Sequence, residues 1–529
     1  MVFDLLIRNG KIIDGTGAPW YRADLAVKDG VIVQVGLVLG DALQEIDVNG
    51  AYVTPGFIDI HTHSDESVLV QPTAVSKISQ GVTTEVIGNC GYSAAPALGG
   101  AWSAINSNLA ELELSLTWES YAEYLDAIDK ARPIVNIYPL VGHGTLLLAS
   151  QGSGIKTEKL LEEALLQGAR GLSTGLVYPP GCFASTEELV WLGQLVQRYG
   201  GIYASHIRDE GEDLLAALAE AIEIGERSGV PVEVAHLKAS GPANHGKTME
   251  ALELLTAARE RGVDIAFDAY PYTASATGLR SLLPRWVYAG GQQAFWDRLN
   301  DPKLEIRLET ETAALVTARG GWSAILLSAV SNPNAQELTG LTLGKVAQQK
   351  GLDPWRVVKE LLLGNPNGVE VICFTMDQAD VDRVICHPWV SYGSDATSRS
   401  PQGVLAKSKP HPRAYGTFPR ILKEFVFERK LMRVEEAVRK MTSGPATRLN
   451  LRKRGLIKAG MVADLTCFTL EDIEDRATYM QPHTLAAGIK FVVVNGILAY
   501  TPEDGVSSPG YGEVLSEGKG YVGYRVRCD

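Results

Sequence analysis

The long middle of this 529-residue chain alternates apolar segments with amphipathic ones, and this alternation restricts its possible folds more than any other feature. Eight short apolar segments have the residue types of buried strands, and stretches with helical periodicity separate most of them. Such alternation is typical of βα units that form a parallel sheet. The predicted strands are Phe57–Ile60, Thr83–Ile87, Ile134–Leu140, Gly171–Thr174, Ile202–Ser205, Val232–Ala235, Asp264–Ala269 and Val390–Ser394. The predicted helices include Thr157–Gln167, Ser185–Tyr199, Glu212–Arg227 and Met249–Arg261.

The two ends of the chain show a different pattern, in which short β-like runs alternate with turn dipeptides. Asn9-Gly10, Asp14-Gly15 and Asp29-Gly30 lie near the start, and Asn495-Gly496 lies near the end. This pattern predicts hairpins. We therefore expect the two β-rich ends to pair with each other in one small domain, with the long middle between them.

Together these patterns predict an α/β protein with a (β/α)8 TIM-type barrel and a small β-sandwich formed by both chain termini. A barrel of this type needs roughly 250 residues and accepts insertions. Between the seventh and eighth predicted strands lie about 120 residues, far more than a βα connection requires. An insertion over the barrel mouth is therefore expected at about residues 282–351. The expected sandwich comprises residues 1–54 and 451–529, and the expected barrel comprises residues 55–450.

Charge and composition exclude several classes of partner. The net charge of -13 disfavours nucleic acid and anionic membranes, which prefer a basic face. The sequence has no run of 18 apolar residues that would predict a membrane span, and its first residues do not resemble a signal peptide. Six cysteines without CxxC spacing are typical of cytosolic thiols. We therefore expect a cytoplasmic protein with a small-molecule substrate, and the oligomeric state stays open.

Side chains of the kinds that bind metals follow five of the eight predicted strands. His61 and His63 come after the first strand, and their spacing of two places both side chains on the same side. Active sites of βα barrels lie at the carboxyl ends of the strands. Imidazole, thiolate and carboxylate are ligands that zinc accepts. The candidate metal ligands are His61, His63, Cys90, His206, His236 and Asp395.

Each of these residues also has a structural interpretation. A single histidine is more often a hydrogen-bonded core residue than a ligand, and Cys90 could be a small buried hydrophobe. Asp395 could cap a helix that begins after it. Chance does not readily place six ligand-type residues at five strand ends in a chain with nine histidines. The sequence therefore favours a metal site.

Several motifs resemble those of a known enzyme family. The segment Pro55–His63 is similar to the first strand of the amidohydrolase superfamily. Many members, such as hydantoinases and dihydroorotases, bridge two metals with a carboxylated lysine after the fourth strand, but Gly171–Tyr178 contains no lysine. The motif Gly88-Asn89-Cys90-Gly91 instead resembles the N-acyl-D-amino-acid deacylases, in which the cysteine is a metal ligand. Further motifs similar to that branch are Ser173–Gly181, Ser205–Glu210, Ala235–Lys238, Asp268–Thr273 and His411–Pro419.

The resemblance implies a zinc-dependent enzyme that hydrolyses the amide bond of N-acyl-D-amino acids to a carboxylate and a free D-amino acid. The implied ligands of one tightly bound zinc ion are Cys90, His206 and His236. The residues implied to face a second, weaker metal position are His61, His63 and Asp395. Asp395 is also the implied catalytic acid and base. The residues implied to bind the substrate are Lys238, Tyr270, Tyr178 and Arg208.

Two departures from the family pattern leave the substrate open. Ala276 stands where the deacylases usually have a serine that is expected on the substrate carboxylate, unless Ser275 or Thr277 supplies the hydroxyl. Ala396 stands where they usually have glycine. The alternative substrate is another linear or cyclic amide, as for a hydantoinase or a dihydroorotase. A non-catalytic barrel scaffold is a further alternative, but such a chain would be expected to lose metal ligands.

Three charged residues have roles that the sequence leaves open. Lys238 either binds a substrate carboxylate or forms an ion pair with Glu233 or a loop acid. Glu210 is interpreted only as part of a helix start, where a negative charge is favourable. Arg280 is a candidate partner for an acidic substrate side chain.

Overall fold

The structure of the protein is a computed structural model that describes residues 2–365, 368–507 and 510–516. Residues 517–529 of the expected sandwich, including Cys528, lie outside the described residues. The described strands are β1 (Phe3–Ile12), β2 (Tyr21–Lys28), β3 (Val31–Gly36), β4 (Ala42–Asp47), β5 (Tyr52–Pro55), β6 (Phe57–Asp59), β7 (Val82–Ile87), β8 (Asn136–Pro139), β9 (Val141–Gly142), β10 (Gly171–Gly175), β11 (Ile202–His206), β12 (Val232–Val234), β13 (Ile265–Ala269), β14 (Ser275–Gly278), β15 (Ile325–Val330), β16 (Val369–Cys373), β17 (Val390–Tyr392), β18 (Leu465–Phe468), β19 (Ile489–Val494), β20 (Ile497–Thr501) and β21 (Gly505–Val506).

Helices fill most of the intervals between these strands. The α-helices are α1 (Ser67–Val70), α2 (Val75–Ile78), α3 (Gly99–Glu111), α4 (Tyr121–Ala131), α5 (His143–Ser153), α6 (Thr157–Leu166), α7 (Thr186–Arg198), α8 (Leu214–Ser228), α9 (Thr248–Glu260), α10 (Gly291–Asn300), α11 (Glu305–Ala318), α12 (Leu343–Lys350), α13 (Pro354–Gly364), α14 (Gln378–Cys386), α15 (Arg413–Arg420), α16 (Val434–Met441) and α17 (Ser443–Arg448). A π-helix, Ile421–Glu428, continues α15. In the described part of the chain, no helix is both long enough and apolar enough to cross a membrane.

All eight strands expected in the middle of the chain are present, close to their expected bounds, as β6, β7, β8, β10, β11, β12, β13 and β17. The strands β6, β7 and β8 form one parallel sheet, and a second has the order β17-β13-β12-β11-β10-β9. Leu140 alone separates β8 from β9. Thr62, after β6, forms a parallel bridge with Ala396, after β17. The chain segments that follow the first and the last of these strands are therefore in contact.

The helices expected between the parallel strands are also present, as α6 to α9. Helix α7 begins where Oγ of Ser185 accepts a hydrogen bond of 3.2 Å from the backbone N–H of Glu188. Helix α8 ends at Gly229, which has a left-handed φ of 72° that glycine adopts without strain. Leu189 and Val196 of α7 are fully buried in the main core. These helices therefore cover the strands with their apolar faces, as their periodicity predicts.

Strands from both ends of the chain share one sheet. Its order is β21-β20-β19-β18-β5-β1-β2-β3, and β4 pairs with β1. The link between the two ends is the antiparallel pair β5 and β18, in which Pro55 lies opposite Leu465. The two ends therefore pair with each other, as expected.

The expected hairpin at Asn9-Gly10 is wrong, because β1 continues through this dipeptide. Both halves of β1 pair with β2, and the register shifts between Ile7 and Gly10. Asn9 has a left-handed φ of 58°, so the dipeptide forms a β-bulge in place of a turn. The expected hairpins at Asp29-Gly30 and Asn495-Gly496 are confirmed by the antiparallel pairs β2–β3 and β19–β20.

The segment between β13 and β17 has a core of its own. The strands β14, β15 and β16 form an antiparallel sheet in the order β14-β16-β15. Buried apolar residues from Leu279 to Cys373 form a cluster that is separate from the main core. This cluster extends beyond residues 282–351 on both sides.

Candidate active site

The candidate metal ligands lie at or just after the carboxyl ends of parallel strands. His61 and His63 follow β6, Cys90 follows β7, His206 ends β11, His236 follows β12 and Asp395 follows β17. Cys90, His236 and Asp395 have left-handed φ values of 53°, 35° and 49°. Non-glycine residues in this region carry backbone strain and are concentrated at functional sites. The strained backbone at these three residues is therefore itself a sign of a functional site.

Four side chains bring their possible ligand atoms together. Sγ of Cys90 lies 3.2 Å from Nε2 of His61 and 3.4 Å from Nε2 of His236. Oδ1 of Asp395 lies 3.6 Å from Nε2 of His61 and 3.0 Å from Nε2 of His63. The ligand atoms of His61, Cys90, His236 and Asp395 all lie within 4.8 Å of one another. Two ligand atoms that each lie about 2.0–2.3 Å from one zinc ion are at most about 4.6 Å apart. The observed spacing of the four ligand atoms therefore suits a single ion after small adjustments.

His206 joins the same centre beside His236. The centroids of the two rings are 4.4 Å apart, and Nδ1 of His206 has no hydrogen-bond partner among the described residues. His206, Glu210 and His236 form a second group of possible ligands. The structure thus brings all six predicted residues together, and atoms of the two implied triads lie next to each other, as for Sγ of Cys90 and Nε2 of His61 at 3.2 Å.

Asp268, in β13, orients two of these histidines. Its Oδ2 lies 3.1 Å from Nδ1 of His61, and its Oδ1 accepts a hydrogen bond of 2.9 Å from the backbone N–H of His236. A carboxylate on Nδ1 fixes the tautomer that leaves Nε2 free to bind a metal ion. Asp268 belongs to the motif Asp268–Thr273, but the sequence alone indicates no such role for it.

We expect Asp268→Asn to lower the affinity for Zn²⁺ by about 10–100-fold, because an amide holds the tautomer of His61 less firmly than a carboxylate does. The measurement is a titration of metal-free protein against a competing chelator. Asp264→Asn is the matched control, because that carboxylate lies just before the same strand, is largely exposed and pairs with Arg448. Equal affinities of the two variants would contradict the role of Asp268.

Glu210 is the partner of Lys238, so its interpretation as only part of a helix start is wrong. Oε1 of Glu210 lies 2.5 Å from Nζ of Lys238 and 3.0 Å from Nδ1 of His236. Burial disfavours the charge of Glu210, but the ammonium of Lys238 and the nearby imidazoles lower its pKa. The ion pair of Lys238 is therefore with this loop acid, and Glu233 pairs instead with Arg448.

Arg413, in α15, is a buried cation that was not among the predicted site residues. Its Nη1 lies 2.9 Å from Oδ2 of Asp395, and its guanidinium lies 4.5 Å from the ring centroid of Tyr270. Burial raises the pKa of Asp395, but Arg413 and His236 outweigh this effect and lower it well below the ordinary value. Asp395 is therefore an ionised carboxylate with one oxygen paired to a cation.

The charges of the centre suit a bound cation. Burial raises the pKa of the Cys90 thiol, but the imidazoles of His61 and His236 lower it well below the ordinary value, which favours the thiolate that binds metals. Burial disfavours protonation of His63, but hydrogen bonds to Asp395 and Cys90 raise its pKa to about 9. In the metal-free protein, protons on histidines therefore balance the anionic ligands, and a metal ion can replace those protons.

Tyr270 lies where it can bind an anionic group. Its side chain is 4% exposed, and its hydroxyl has no hydrogen-bond partner among the described residues. The ring centroid lies 4.5 Å from the guanidinium of Arg413 and 5.8 Å from Nζ of Lys238. A buried hydroxyl needs a partner, and the two cations near the ring favour an anionic one.

The other two predicted substrate-binding residues differ in position. The ring of Tyr178 lies 5.0 Å from that of His206, so Tyr178 borders the centre. Arg208 is not brought to the centre, because its guanidinium lies 2.8 Å from Glu220 and donates to the carbonyl oxygens of Cys182 and Ala184.

Of the two residues that depart from the family pattern, Ala276 lies on β14 and Ala396 follows β17. Ala276 is partly buried and packs against a small apolar cluster that contains Leu326 and Ile372. The neighbouring Thr277 places its Oγ1 3.2 Å from the hydroxyl of Tyr178, so a hydroxyl is available next to position 276. Arg280 packs its guanidinium 5.0 Å from the rings of Phe295 and Trp296 in the separate core.

Comparisons with known proteins show the family of this chain. A family model described as "Amidohydrolase family" matches residues 44–176 and 383–500, which include β6, β7 and β17. The D-aminoacylase of Alcaligenes xylosoxydans xylosoxydans is 38% identical over 505 residues, which cover 93% of this chain and 94% of the relative. The N-acyl-D-aspartate deacylase of the same organism is 35% identical over 97% of this chain and 95% of the relative.

Solved structures give the same result. The N-acyl-D-glutamate deacylase of Bordetella bronchiseptica, in a complex with zinc and a phosphonate inhibitor, is 33% identical, with a TM-score of 0.82 over 98% of this chain and 100% of that chain. A D-hydantoinase has a TM-score of 0.55 at 17% identity, which shows a shared fold alone. The chain therefore belongs to the amidohydrolase family, in the group of the D-aminoacylases and N-acyl-D-amino-acid deacylases.

Proposed function

We propose that this protein is a zinc-dependent enzyme that hydrolyses the amide bond of N-acyl-D-amino acids to a carboxylate and a free D-amino acid. The observation that carries the proposal is the buried group of His61, Cys90, His236 and Asp395, whose ligand atoms lie within 4.8 Å of one another. The names of the similar enzymes, D-aminoacylase and N-acyl-D-aspartate deacylase, support the same reaction.

The donor set fits zinc better than magnesium or calcium. Thiolate and imidazole are ligands for zinc, whereas the two hard cations prefer oxygen. The proposed ligands of the tightly bound ion are Cys90, His206 and His236. The residues proposed to face a second, weaker position are His61, His63 and Asp395. When bound, zinc makes water a nucleophile at neutral pH and polarises the acyl carbonyl.

Asp395 is the proposed acid and base. Arg413 holds Oδ2 of Asp395 at 2.9 Å, and Oδ1 faces the ligand histidines, 3.0 Å from Nε2 of His63. Oδ1 is therefore the atom proposed to take a proton from the attacking water as the oxygen adds to the acyl carbon. The same proton then passes to the amine nitrogen as the C–N bond breaks.

Lys238 and Tyr270 are proposed to bind the substrate carboxylate, and Tyr178 is proposed to line the site. Lys238 supplies a positive charge that it shares with Glu210, and the unpartnered buried hydroxyl of Tyr270 supplies a hydrogen-bond donor. Arg208 is left out of this role, because its guanidinium binds Glu220 and two backbone carbonyl oxygens, whereas the Lys238–Glu210 pair lies beside His236.

We also propose that the parallel strands from β6 to β13, together with β17, close into a (β/α)8 barrel within residues 55–450. The hydrogen bond of 2.8 Å from the backbone N–H of Asp395 to the carbonyl oxygen of His61 supports this closure. The nine-stranded sheet is proposed to form the small sandwich, supported by an apolar cluster that joins Leu5 and Val53 to Leu465. The segment from β14 to β16 is the proposed insertion.

We propose that the enzyme acts on small molecules in the cytoplasm. The cysteines of the described residues are all unpaired, which suits a reducing compartment. The net charge of -13 also argues against nucleic acid as a partner.

The experiment that tests the function uses zinc-loaded protein and matched N-acetyl-D- and N-acetyl-L-amino acids. We expect release of free amine from D compounds alone, and the preferred side chain defines the substrate class. A panel with leucine, methionine, aspartate and glutamate separates apolar from acidic preference. No release from any member with zinc bound would contradict the proposal, and hydrolysis of hydantoins or dihydropyrimidines would then support the alternative.

We expect the affinity for zinc to increase as the pH increases from about 6 to about 9. Burial disfavours protonation of His63 and His236, but the anionic groups around them raise both pKa values to about 9. Both imidazoles are therefore protonated at pH 7, and zinc must displace these protons in order to bind. Calorimetry in two buffers with different ionisation enthalpies measures the protons released. Equal heats in both buffers would contradict this prediction.

A further inference from the structure

A cluster of buried charged side chains lies next to the Asp395 turn, apart from the ligands described above. Lys77, in α2, is fully buried. Its Nζ lies 2.9 Å from Oδ2 of Asp59 and 3.7 Å from Oε2 of Glu85. A buried ammonium is stable only when its charge and its hydrogen-bond donors are matched. The partners of Lys77 therefore indicate what it does.

Lys77 binds the chain on both sides of Asp395. Its Nζ donates hydrogen bonds to Oγ of Ser394 at 2.6 Å and to the carbonyl oxygen of Ala396 at 3.0 Å. Asp59 adds a third contact, because its Oδ1 accepts a hydrogen bond of 2.8 Å from the backbone N–H of Ser394. Lys77 and Asp59 thus hold both neighbours of Asp395, and neither is bonded to its carboxylate.

This turn needs support, because Asp395 has a left-handed φ of 49°. A non-glycine residue keeps such a conformation only when its surroundings enforce it. The conformation aims the side chain, since a return to ordinary φ values would rotate the carboxylate away from His61 and His63. The contacts of Lys77 are with the two residues that such a rotation would move.

We propose that Lys77 is a positioning residue that holds the Ser394–Ala396 turn so that Oδ1 of Asp395 faces the ligand histidines. This inference rests on the proposed function, because it assumes that Asp395 transfers the proton. Without the ammonium, the turn can relax and displace the carboxylate, and a displacement of about 1 Å costs about 100-fold in rate. Substrate binding is unaffected, because Lys77 contacts neither Lys238 nor Tyr270.

The test compares Lys77→Met with Lys440→Met. Lys440 is the matched control, because it is also buried, at 1% exposure, and donates a hydrogen bond of 3.1 Å to the carbonyl oxygen of Ile385. We expect Lys77→Met to lower kcat by about 100-fold and to change KM by less than about twofold. Lys440→Met is expected to leave both within about threefold of the wild type, because the contacts of Lys440, with Ile385, Glu436 and the ring of Tyr392, do not include the Ser394–Ala396 turn.

Hydrogen exchange of the peptide Tyr392–Ser398, measured without substrate, is the second readout. In Lys77→Met we expect its amides to exchange at least about tenfold faster than in the wild type and in Lys440→Met. If Lys77→Met does not fold, Ser394→Ala removes one of the three contacts and should give smaller changes of the same kind.

Unchanged exchange in the variants, or an equal loss of kcat in Lys440→Met, would overturn the positioning role. Failure of the proposed function would give a different result, because the wild type itself would then release no D-amino acid. The exchange measurement still decides the role of Lys77 in that case.

Discussion

Asp395→Asn is expected to lower kcat for N-acyl-D-amino-acid hydrolysis by about 10²–10⁴-fold, the contribution typical of positioned proton transfer. Asparagine has nearly the same shape, so it can occupy the same place beside Arg413, whose Nη1 lies 2.9 Å from Oδ2 of Asp395. The amide cannot take a proton from water or return it to the amine. The measurement is the rate of amine release at saturating substrate and zinc.

The matched control is Asp377→Asn. Asp377 caps α14, where its Oδ1 accepts a hydrogen bond of 2.9 Å from the backbone N–H of Ala379, and asparagine caps helices as well as aspartate does. We expect this variant to retain full activity. An Asp395→Asn variant that keeps more than a tenth of the wild-type kcat with zinc bound would contradict the acid–base role.

Cys90→Ser is expected to lower the affinity for zinc by about 100-fold or more, because a serine hydroxyl is not ionised near neutral pH and the thiolate is the form that binds metals. Sγ of Cys90 lies 3.2 Å from Nε2 of His61 and 3.4 Å from Nε2 of His236. Its loss therefore removes the negative charge next to both histidines. Activity should fall in proportion to bound zinc and return in part with excess zinc.

Cys386→Ser is the control for this variant, since Cys386 is a half-buried thiol at the end of α14 and is not part of either group of possible ligands. Zinc content by mass spectrometry and competition with a chelator measure both variants. If Cys90→Ser binds zinc as tightly as Cys386→Ser does, Cys90 is not a ligand.

The strands and the candidate ligands could be predicted because both depend on local sequence. An apolar run of four to six residues, bounded by turns, indicates a buried strand without knowledge of its neighbours. His206 and His236 follow such runs directly, so their common position at one edge of the sheet follows from the parallel arrangement. Selecting the candidate ligands therefore needs no long-range information.

The residues that orient the ligands could not be predicted, because their partners are far away in the sequence. Asp268 and His61 are separated by 207 positions, and only the folded chain shows that they meet. Glu210 and Arg413 lie in segments that could equally be surface loops. An acidic residue after a strand has the same local pattern whether it binds a metal ion or orients a histidine.

The error at Asn9-Gly10 has a similar cause. The dipeptide favours left-handed φ values, which suit both a tight turn and a β-bulge. The choice depends on whether β2 pairs with one half of β1 or with both halves, and that pairing is a property of the sheet. Apolar periodicity likewise does not reveal which core a strand joins, so the separate apolar cluster from Leu279 to Cys373 could not be delimited from the sequence.

The pairing of β5 with β18 determines when this protein can finish folding during synthesis. β5 ends at Pro55, and its partner strand ends at Phe468, so the ribosome must add about 400 residues before the pair can form. At about 5–20 residues per second, this interval lasts roughly 20–80 s. An unpaired strand edge recruits other chains. Each nascent chain therefore exposes an aggregation-prone edge while its entire catalytic region is being made, and any fragment that ends before β18 keeps that edge permanently.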